Sequence, residues 1–570
     1  MRRRIVILAL VALAIAAVWL ARRAGPSIAP GSALVLELEG DYVEAQEVPI
    51  FARLLGQRAR PFAGLLSELA KVERDDRIAT VVLRVGALGV GWGKAQEIRA
   101  AIARLRERGR RVVAHLEVER YGANLEYYVA CAADEVYLAP ATRTPFAGLA
   151  AEYLFLGGLW EKLGVEIEVE RIGAYKSAAE IYAGKEMSEP HREMANAILD
   201  SVESQFVAAV AAGRGLSASR VRAIIDEAPT TAREIAAAGL VDGVAHYEEL
   251  VEKLGKPPIV KGEDYAAVDP GSLGFDPQAT LALVYGSGAV VHGEGSTTRS
   301  GEPVLASRTV AEALLDAAKD PEIDGILFRI DSPGGSALAA DHVWRAARQA
   351  KEHGKPLIVS FSDVAASGGY YVAAGADAIV ADPATLTGSI GVFVLRPVLA
   401  GLFEKLGIGV AALTRGAHAD LYLSSRTLSP ESRERLRADV EGVYDLFVSR
   451  VAEGRKLEPE AVDEVGRGRV WTGEQAFERG LVDALGGLRV AAVEARKRLG
   501  LDPEADVALV PYPPPKPLAL QIQEALRGTL AGAPLAGLEL PGSLARAAAL
   551  LASLPEGSPL LVPPALVEIR

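Results

Sequence analysis

The chain of 570 residues has few of the side chains on which many enzymes rely. Cys131 is its single cysteine, which excludes an intramolecular disulfide and a zinc site built from cysteines. Seven histidines are present, and none lies near the segment that most resembles a serine-nucleophile motif, DVAASGGYYVAAGADAIVADPATLTGSIGVF at 363–393. The net charge of -12 disfavours nucleic acid as a partner, and no basic stripe is present. We therefore expect no metal, no other cofactor and no nucleic-acid partner.

A long apolar run stands at the N-terminus. Sixteen uninterrupted apolar residues extend from Ile5 to Leu20, with arginines on both sides. This length is close to the roughly 17 residues at the lower limit for a membrane-spanning helix. We therefore predict that residues 1–24 form an uncleaved membrane anchor. Three arginines before the run and two after it favour a cytoplasmic N-terminus. A cleaved signal peptide is the alternative.

The two halves of the chain repeat one sequence pattern. Residues 125–167 align without a gap to residues 368–410, and the Tyr-Tyr-Val-Ala units start at 127 and 370, an offset of 370 − 127 = 243. Matching segments upstream and downstream extend the duplication to roughly 32–250 and 279–490. Such a repeat predicts two domains of the same fold in tandem.

Short β-rich runs alternate with amphipathic helical patterns in each half. ATVVLRV, RRVVAHLE and DEVYLA in the first half correspond to GILFRID, KPLIVSFS and AIVADP in the second. This alternation predicts βαβ units, an α/β class and mainly parallel sheets. The sequence therefore predicts five segments: an anchor at 1–24, an N-terminal repeat at 32–252, a connector at 253–278, a C-terminal repeat at 279–500 and a tail at 501–570.

Two strand–helix turns in the second half carry residues suited to acyl transfer. FRIDSPGGSALAADHVW at 328–344 places consecutive glycines after a strand, where unobstructed N–H groups can stabilise an oxyanion. The next strand leads to Ser367, which Gly368 and Gly369 follow at the start of another helix. Donors from one turn and a nucleophile from the next are the layout of acyl transfer. Taken separately, each segment is also compatible with a tight turn or with close helix packing.

The repeat separates the serine from a candidate base. Ser367 corresponds to Asn124 in the first half, because 367 − 243 = 124. Lys176, within ERIGAYKSAAEIY, corresponds to Ala419 in the second half, because 176 + 243 = 419. Each half therefore retains one of the two residues, which predicts a single active site at the interface between the halves.

A lysine serves as a general base only when it is neutral. Lowering its pKa from ~10.4 to about 7 costs on the order of 4–5 kcal/mol, which burial in a dry interface can supply. Ser389, within TLTGSIG, is the candidate hydroxyl that orients the amine of Lys176. Two alternatives remain open: Lys176 as a solvated surface lysine, and a Ser–His pair that uses His342 or His353.

The motifs SPGGS, AASGGYYVA, TLTGSIGVF and GAYKSAAE resemble the signature of the signal peptide peptidase A family in its long, duplicated form. The resemblance covers most of 32–490 and implies tandem ClpP/crotonase-like domains (ββα superhelices) with an N-terminal transmembrane helix. It implies Ser367 as the nucleophile, Lys176 as the general base and Ser389 as the lysine-orienting residue. It also implies an oxyanion hole formed by backbone N–H groups of the two turns, at Gly334, Gly335 and Gly368.

The same resemblance implies where the protein acts and on what. Members of the family in its long form are membrane-anchored homotetramers of the bacterial inner membrane, with the catalytic part on the periplasmic side. Their substrates are peptides, chiefly cleaved signal peptides, and their partner in the membrane is lipid. Two other functions suit the same fold: an acyl-CoA enzyme of the crotonase type, and an inactive membrane scaffold.

Overall fold

The computed structural model describes residues 27–44, 60–118, 123–143, 146–298, 302–514 and 560–561. The predicted anchor at 1–24 lies outside these residues. Among the helices of the described ranges, none has both the length and the apolar character needed to cross a membrane.

The first half is built on a parallel sheet with helices on both faces. Its strands in the described ranges are β1 (Ser32–Val43), β2 (Arg60–Pro61), β3 (Ile78–Gly89), β4 (Arg111–Leu116), β5 (Glu135–Leu138), β6 (Glu166–Ile172), β7 (Gly243–Val244) and β8 (Ile259–Lys261). The sheet order is β2-β1-β3-β4-β5-β7, with β8 also beside β1, and β6 belongs to another sheet. The helices are α1 (Phe62–Arg74), α2 (Trp92–Glu107), α3 (Asn124–Ala130), α4 (Gly157–Leu163), α5 (Ala178–Ala183), α6 (Glu189–Arg214), α7 (Ala218–Glu227), α8 (Ala232–Ala237), α9 (Tyr247–Lys253) and α10 (Gly262–Tyr265), and a 3-10 turn lies at Pro270–Leu273.

The second half repeats the main parallel strands and the helices between them, and it has additional short strands. Its strands in the described ranges are β9 (Ala279–Ser287), β10 (Ala289–Val291), β11 (Val304–Ala306), β12 (Gly325–Ser332), β13 (Gly335–Ser336), β14 (Leu357–Ala366), β15 (Ala378–Ala381), β16 (Leu386–Gly388), β17 (Val392–Val398), β18 (Val470–Thr472), β19 (Ala484–Leu485), β20 (Val507–Tyr512) and β21 (Leu560–Leu561). The main sheet runs β18-β16-β14-β12-β9-β20, with β15 joining β14 to β19. The helices are α11 (Ser307–Lys319), α12 (Ala337–Glu352), α13 (Gly368–Ala373), α14 (Ala400–Lys405), α15 (Pro430–Arg455), α16 (Pro459–Val465), α17 (Gly473–Glu478) and α18 (Leu488–Leu499), and a 3-10 turn lies at Ala419–Tyr422.

The central strands are buried on both faces, as parallel sheets require. In β12, Ile326, Leu327, Phe328 and Ile330 are all fully buried. One face of this sheet packs against helices α11, α12 and α15, and the other packs against α18. The first half has the same layers, with α9 in the place of α18. The predicted α/β class and parallel sheets are therefore confirmed.

Each half closes with an edge strand that its sequence pattern does not reveal. Strand β8 pairs in parallel with β1, although it lies in the segment predicted to be a connector. Strand β20 pairs in parallel with β9, although it lies in the segment predicted to be a tail. Both runs are short and next to prolines, which interrupt strand patterns. The repeated unit thus extends through these strands in both halves.

A third sheet joins the two halves. Strand β6 of the first half pairs antiparallel with β17 of the second, from Val392 opposite Ile172 to Val398 opposite Glu166. In the described residues this sheet has the order β11-β10-β13-β21-β17-β6. Residues that follow β6 and residues that precede β17 are consequently brought to the same place.

Buried charges form a second connection between the halves. Arg329 of β12 is fully buried and donates hydrogen bonds to the carboxylates of Glu44 and Glu97, both from the first half. Lys94 of α2 donates to Asp331 and Asp363 of the second half, at 2.6 and 2.7 Å. Charges removed from water are tolerated only when they are paired in this way. The pairing therefore fixes how the two halves fit together.

Candidate active site

Ser367 stands at the start of α13, directly after β14. Its side chain is fully buried, and its backbone has φ +56°, a left-handed conformation that is rare for a residue other than glycine. The backbone N–H of Ser367 donates to the Gly388 carbonyl at 2.8 Å, which holds this conformation. Such strain persists only where the surrounding structure enforces it, and it is concentrated at functional sites.

The Lys176 amine reaches Ser367 from the other half of the chain. Nζ lies 2.7 Å from Ser367 Oγ, 2.9 Å from Ser389 Oγ and 2.9 Å from the Ser389 carbonyl oxygen. The lysine is fully buried, and burial lowers the pKa of its amine well below the usual value. The structure thus brings together the three side chains that the sequence singled out. Ser367 is 191 residues and Ser389 is 213 residues from Lys176 along the chain.

The antiparallel pairing of β6 with β17 explains this meeting. Lys176 follows the C-terminal end of β6, and Ser389 precedes the N-terminal end of β17. Because Ile172 faces Val392, the two flanking loops lie side by side. Strand pairing between the halves therefore sets the position of the amine.

A loop that the sequence analysis did not identify holds both sides of this contact. It spans residues 466–469 and is called here the 466–469 loop. The Arg467 carbonyl accepts from Tyr175 N at 3.0 Å, and the Arg469 carbonyl accepts from Ser389 N at 2.7 Å. Gly468, at φ +81°, lies so close that a Cβ there would be 2.5 Å from the Lys176 backbone. The signal for this loop in the sequence is the Gly-Arg-Gly triplet at 466–468, before β18, which on its own predicts only an ordinary turn.

The predicted oxyanion glycines lie beside Ser367 but do not have equivalent environments. A Cβ on Gly368 would be 3.0 Å from Gly335 N, so the two turns are in close contact. The N–H of Gly334 donates to Ser332 Oγ at 3.2 Å, which occupies it within its own turn. Gly368 is the first residue of α13, and N–H groups of a first helical turn have no partner within the helix. Gly335 and Gly368 are therefore the better placed donors.

The corresponding place in the first half is filled by other side chains. Asn124, the counterpart of Ser367, donates from Nδ2 to the Gly148 carbonyl at 2.8 Å. Glu126, the counterpart of Gly369, accepts from Leu88 N at 3.0 Å. Phe146, the counterpart of Ser389, packs edge-on against Tyr127. A carboxylate and a phenyl ring thus stand where the second half has Gly369 and Ser389.

The alternative Ser–His pair has no support in the geometry. His342 and His353 are exposed on and just after α12, whereas Ser367 is fully buried. The His342 ring lies 5.4 Å from the ring of His292. The surface-lysine alternative is also not met, because Lys176 has no exposed surface.

Comparisons with known proteins agree with the expected family. The profile of peptidase family S49 matches residues 104–260 and 349–502. The chain is similar to the chloroplastic serine protease SPPA of Arabidopsis thaliana, with 35% identity over 457 residues, 78% of this chain and 67% of that protein. It is also similar to Protease 4 of Salmonella typhi, with 30% identity over 450 residues, 76% of this chain and 71% of that protein.

A third relative is similar over a shorter range. It is an Enterococcus faecium protein described as a signal peptide peptidase, with 38% identity over 168 residues, 30% of this chain and 49% of that protein. The two family matches confirm the duplication, and the named relatives favour peptide hydrolysis over acyl-CoA chemistry. The chain therefore belongs to peptidase family S49 and is a serine protease.

Proposed function

We propose that this serine protease uses a Ser367–Lys176 dyad to degrade cleaved signal peptides and other extended apolar peptides. The observation that carries the proposal is the 2.7 Å contact between the Lys176 amine and the Ser367 hydroxyl. A neutral amine has one lone pair and two N–H bonds. The lone pair accepts the Ser367 proton, and the two N–H groups donate to Ser389 Oγ and to the Ser389 carbonyl oxygen.

In this mechanism Lys176 takes the proton of Ser367 as the Ser367 oxygen attacks the peptide carbonyl. The resulting oxyanion accepts hydrogen bonds from the backbone N–H groups of Gly335 and Gly368. The ammonium group of Lys176 then protonates the leaving amine, and an acyl-enzyme forms. Water, deprotonated by the same amine, attacks the acyl-enzyme and restores the free serine.

The substrate class follows from the surroundings of the site. Strands β13 and β17 border it, and strand edges bind extended peptides through their main-chain groups. The Enterococcus faecium relative is described as a signal peptide peptidase, and the apolar run at Ile5–Leu20 favours action at a membrane. Both support membrane-derived apolar peptides as the substrates.

Substitution of the dyad tests the mechanism. We expect Ser367→Ala and Lys176→Ala each to lower kcat/KM for an apolar fluorogenic peptide by at least ~10³-fold, and the double variant to be no worse, because the two groups act as a unit. Ser389→Ala should lose less, about 10–100-fold, because the Ser389 carbonyl still holds the amine. Exposed Lys319→Ala is the matched control. Full activity of the Lys176 variant, with an unchanged circular dichroism spectrum, would exclude the dyad. An inactive wild-type protein would favour the alternative of an inactive membrane scaffold.

The pH dependence of cleavage tests the protonation state of the base. At low pH Lys176 is protonated and cannot accept the serine proton, so kcat/KM rises with pH as the amine is deprotonated. Because burial lowers the pKa of Lys176, we expect the plateau to be reached well below the ~10.4 of a solvated lysine. The measurement is kcat/KM from about pH 5 to about pH 10. A rise centred near the solvated value would show that the amine is not buried as described.

The 466–469 loop is proposed to position the base. In Gly468→Ala the new methyl group would clash with the Lys176 backbone. The positive φ of residue 468, +81°, is also unfavourable for alanine. We expect kcat to fall about 10–100-fold with little change in KM, because a displacement of about 1 Å at a reacting group has this effect. Gly480→Ala is the control, since Gly480 also has positive φ, at +71°, but no atom close to its Cβ position. Equal losses in the two variants would mean that backbone strain alone is responsible.

We further propose a membrane-anchored homotetramer on the periplasmic side of the bacterial inner membrane. Strand β6 pairs with β17 inside one chain. At the offset of 243, the counterpart of β6 is the segment 409–415 and that of β17 is the segment 149–155. Neither segment forms a strand. Leu406, Val410 and Leu413 around the first of these are 64%, 52% and 92% exposed. Pairing of 409–415 in one copy with 149–155 in the next is head-to-tail, and such contacts form a closed ring when the rotation between copies is a whole fraction of a turn, a quarter turn for a tetramer.

Fractionation and sizing test the anchor and the assembly together. We expect the full chain to sediment with membranes and, after extraction with detergent, to have the mass of four chains by light scattering. A chain without residues 1–24 should be released from membranes but keep that mass. Charged substitutions at Val410 and Leu413 should lower the mass, whereas Leu509→Glu, on a distant exposed strand, should not. A monomer in all cases would refute the assembly without affecting the dyad.

A further inference from the structure

Helix α2 of the first half is capped at its N-terminus by a side chain of the second half. Helices α2 and α12 are counterparts, since both have 16 residues and they start 245 positions apart (337 − 92). In α12 the N-cap residue Ser336 accepts from Ala339 N with its own hydroxyl. In α2 the N-cap is Gly91, and the equivalent N–H, that of Lys94, donates to Asp363 Oδ1 at 2.9 Å. The cap of α2 therefore comes from across the seam.

Gly91 allows α2 to approach the nucleophile strand β14 closely. The N–H of Gly91 donates to Asp363 Oδ2 at 2.9 Å, and a Cβ on Gly91 would lie 2.5 Å from Asp363 Cγ. A Cβ on Gly93 would lie 2.7 Å from the Ser362 carbonyl oxygen. Where the second half has Ser-Pro-Gly-Gly before its helix, the first half has Ala-Leu-Gly-Val at 87–90. The turn that leads into α2 thus packs against β14 of the other half.

The side chain of Lys94 links the two strands that carry the proposed reacting groups. It is buried, and its amine donates to Asp331 of β12 and to Asp363 of β14. Asp331 lies four residues before Gly335, a proposed oxyanion donor (335 − 331). Asp363 lies four residues before Ser367, the proposed nucleophile (367 − 363). One ammonium group from the first half therefore connects the bases of both turns.

The link lies where the pairing of β12 with β14 is irregular. The difference in number between opposed residues changes from 31 (361 − 330) at Ile330 to 33 (365 − 332) at Ser332. Between these positions Val364 N donates to the side-chain oxygen Asp331 Oδ1, at 3.2 Å. A bulge of this kind disrupts the ladder and changes the direction of the strand that follows it. The contacts of Lys94 therefore hold the strand ends together where main-chain pairing is interrupted.

From these contacts we infer that Lys94 and the N-terminal turn of α2 are a positioning element, which fixes the distance between Ser367 and the oxyanion turn. They act through Asp331 and Asp363. The inference rests on the proposed function, because it takes Ser367 as the nucleophile and Gly335 as an oxyanion donor. Without the ammonium group, two buried carboxylates would face each other uncompensated, and their repulsion would move the strand ends apart.

Substitution of Lys94 in the full-length protein tests the inference. We expect Lys94→Met to lower kcat about 10–100-fold with little change in KM, because a displacement of about 1 Å at a reacting group has this effect. Asp331→Asn added to Lys94→Met should raise kcat again, at least about twofold, because it removes one of the two uncompensated carboxylates. In each case kcat is expressed per active site, counted with a serine-directed acylating probe, so that a loss of folded protein does not count.

Lys71→Met is the matched control for the loss of a buried ammonium group. Lys71 is a buried lysine of α1 that donates to backbone carbonyls within the first half. We expect this variant to lose stability but to keep its kcat per active site. No loss of kcat in Lys94→Met, an equal loss in the two lysine variants, or no recovery with Asp331→Asn would overturn the positioning role.

Gly91→Ala tests the same contact without a change of charge, and it replaces Lys94→Met if that variant does not fold. Its methyl group must displace Asp363, so kcat should again fall about 10–100-fold. Gly442→Ala is the control, since Gly442 is exposed on α15 and no atom lies close to its Cβ position. An unchanged kcat in Gly91→Ala would contradict the inference.

Hydrogen exchange separates the positioning element from the dyad. Mass spectrometry of the full chain follows peptides that cover residues 363–373, with residues 507–512 of β20 as the reference. We expect Lys94→Met to speed exchange at 363–373 at least about twofold and to leave the reference unchanged, because local opening costs less when the carboxylates repel each other. Faster exchange in a protein whose wild type is inactive would refute the dyad but not the positioning element. Unchanged exchange, with an active wild type, would refute the positioning element but not the dyad.

Discussion

The proposed active site depends on keeping the amine of Lys176 out of water. Lys176 comes from the first half of the chain and Ser367 from the second, and the 2.7 Å contact between them is fully buried. A solvated lysine is almost entirely protonated at neutral pH and has no lone pair to offer. The seam between the halves supplies the dry environment, and Ser389 and its carbonyl supply acceptors that face the amine from one side. The position of the Lys176 amine and its lowered pKa therefore have the same origin, which is burial between the two halves.

The duplication has produced two halves with one fold and different side chains at corresponding positions. In the second half the strand–helix turn exposes glycine N–H groups beside a serine, and in the first half Glu126 and Phe146 fill the corresponding space. The first half contributes the proposed base, Lys176, together with carboxylates for Arg329 and the amine of Lys94. Three connections thus cross the seam: strand pairing, buried charge and the contact between Lys176 and Ser367.

Much of this arrangement was predictable from the sequence, because the fixed offset of the repeat allows each residue to be compared with its counterpart in the other half. The loss of the serine at Asn124 and of the lysine at Ala419 indicated a shared site, and the alternating runs indicated parallel sheets. The features that were missed have weak local patterns. Strands β8 and β20 are short and flanked by prolines, and β21 has two residues. The role of Gly468 depends on a close approach by Lys176, which lies far away in the sequence. Contacts of this kind arise from tertiary packing, which periodicity does not record.

The buried cluster around Arg329 also bears on the history of the protein. Once a guanidinium from one half is neutralised by carboxylates from the other, neither half can be produced alone without leaving charge uncompensated in a core. A duplicated gene that acquires such a cluster can no longer return to two independent copies. Later changes in either half are then selected in the context of its covalent neighbour.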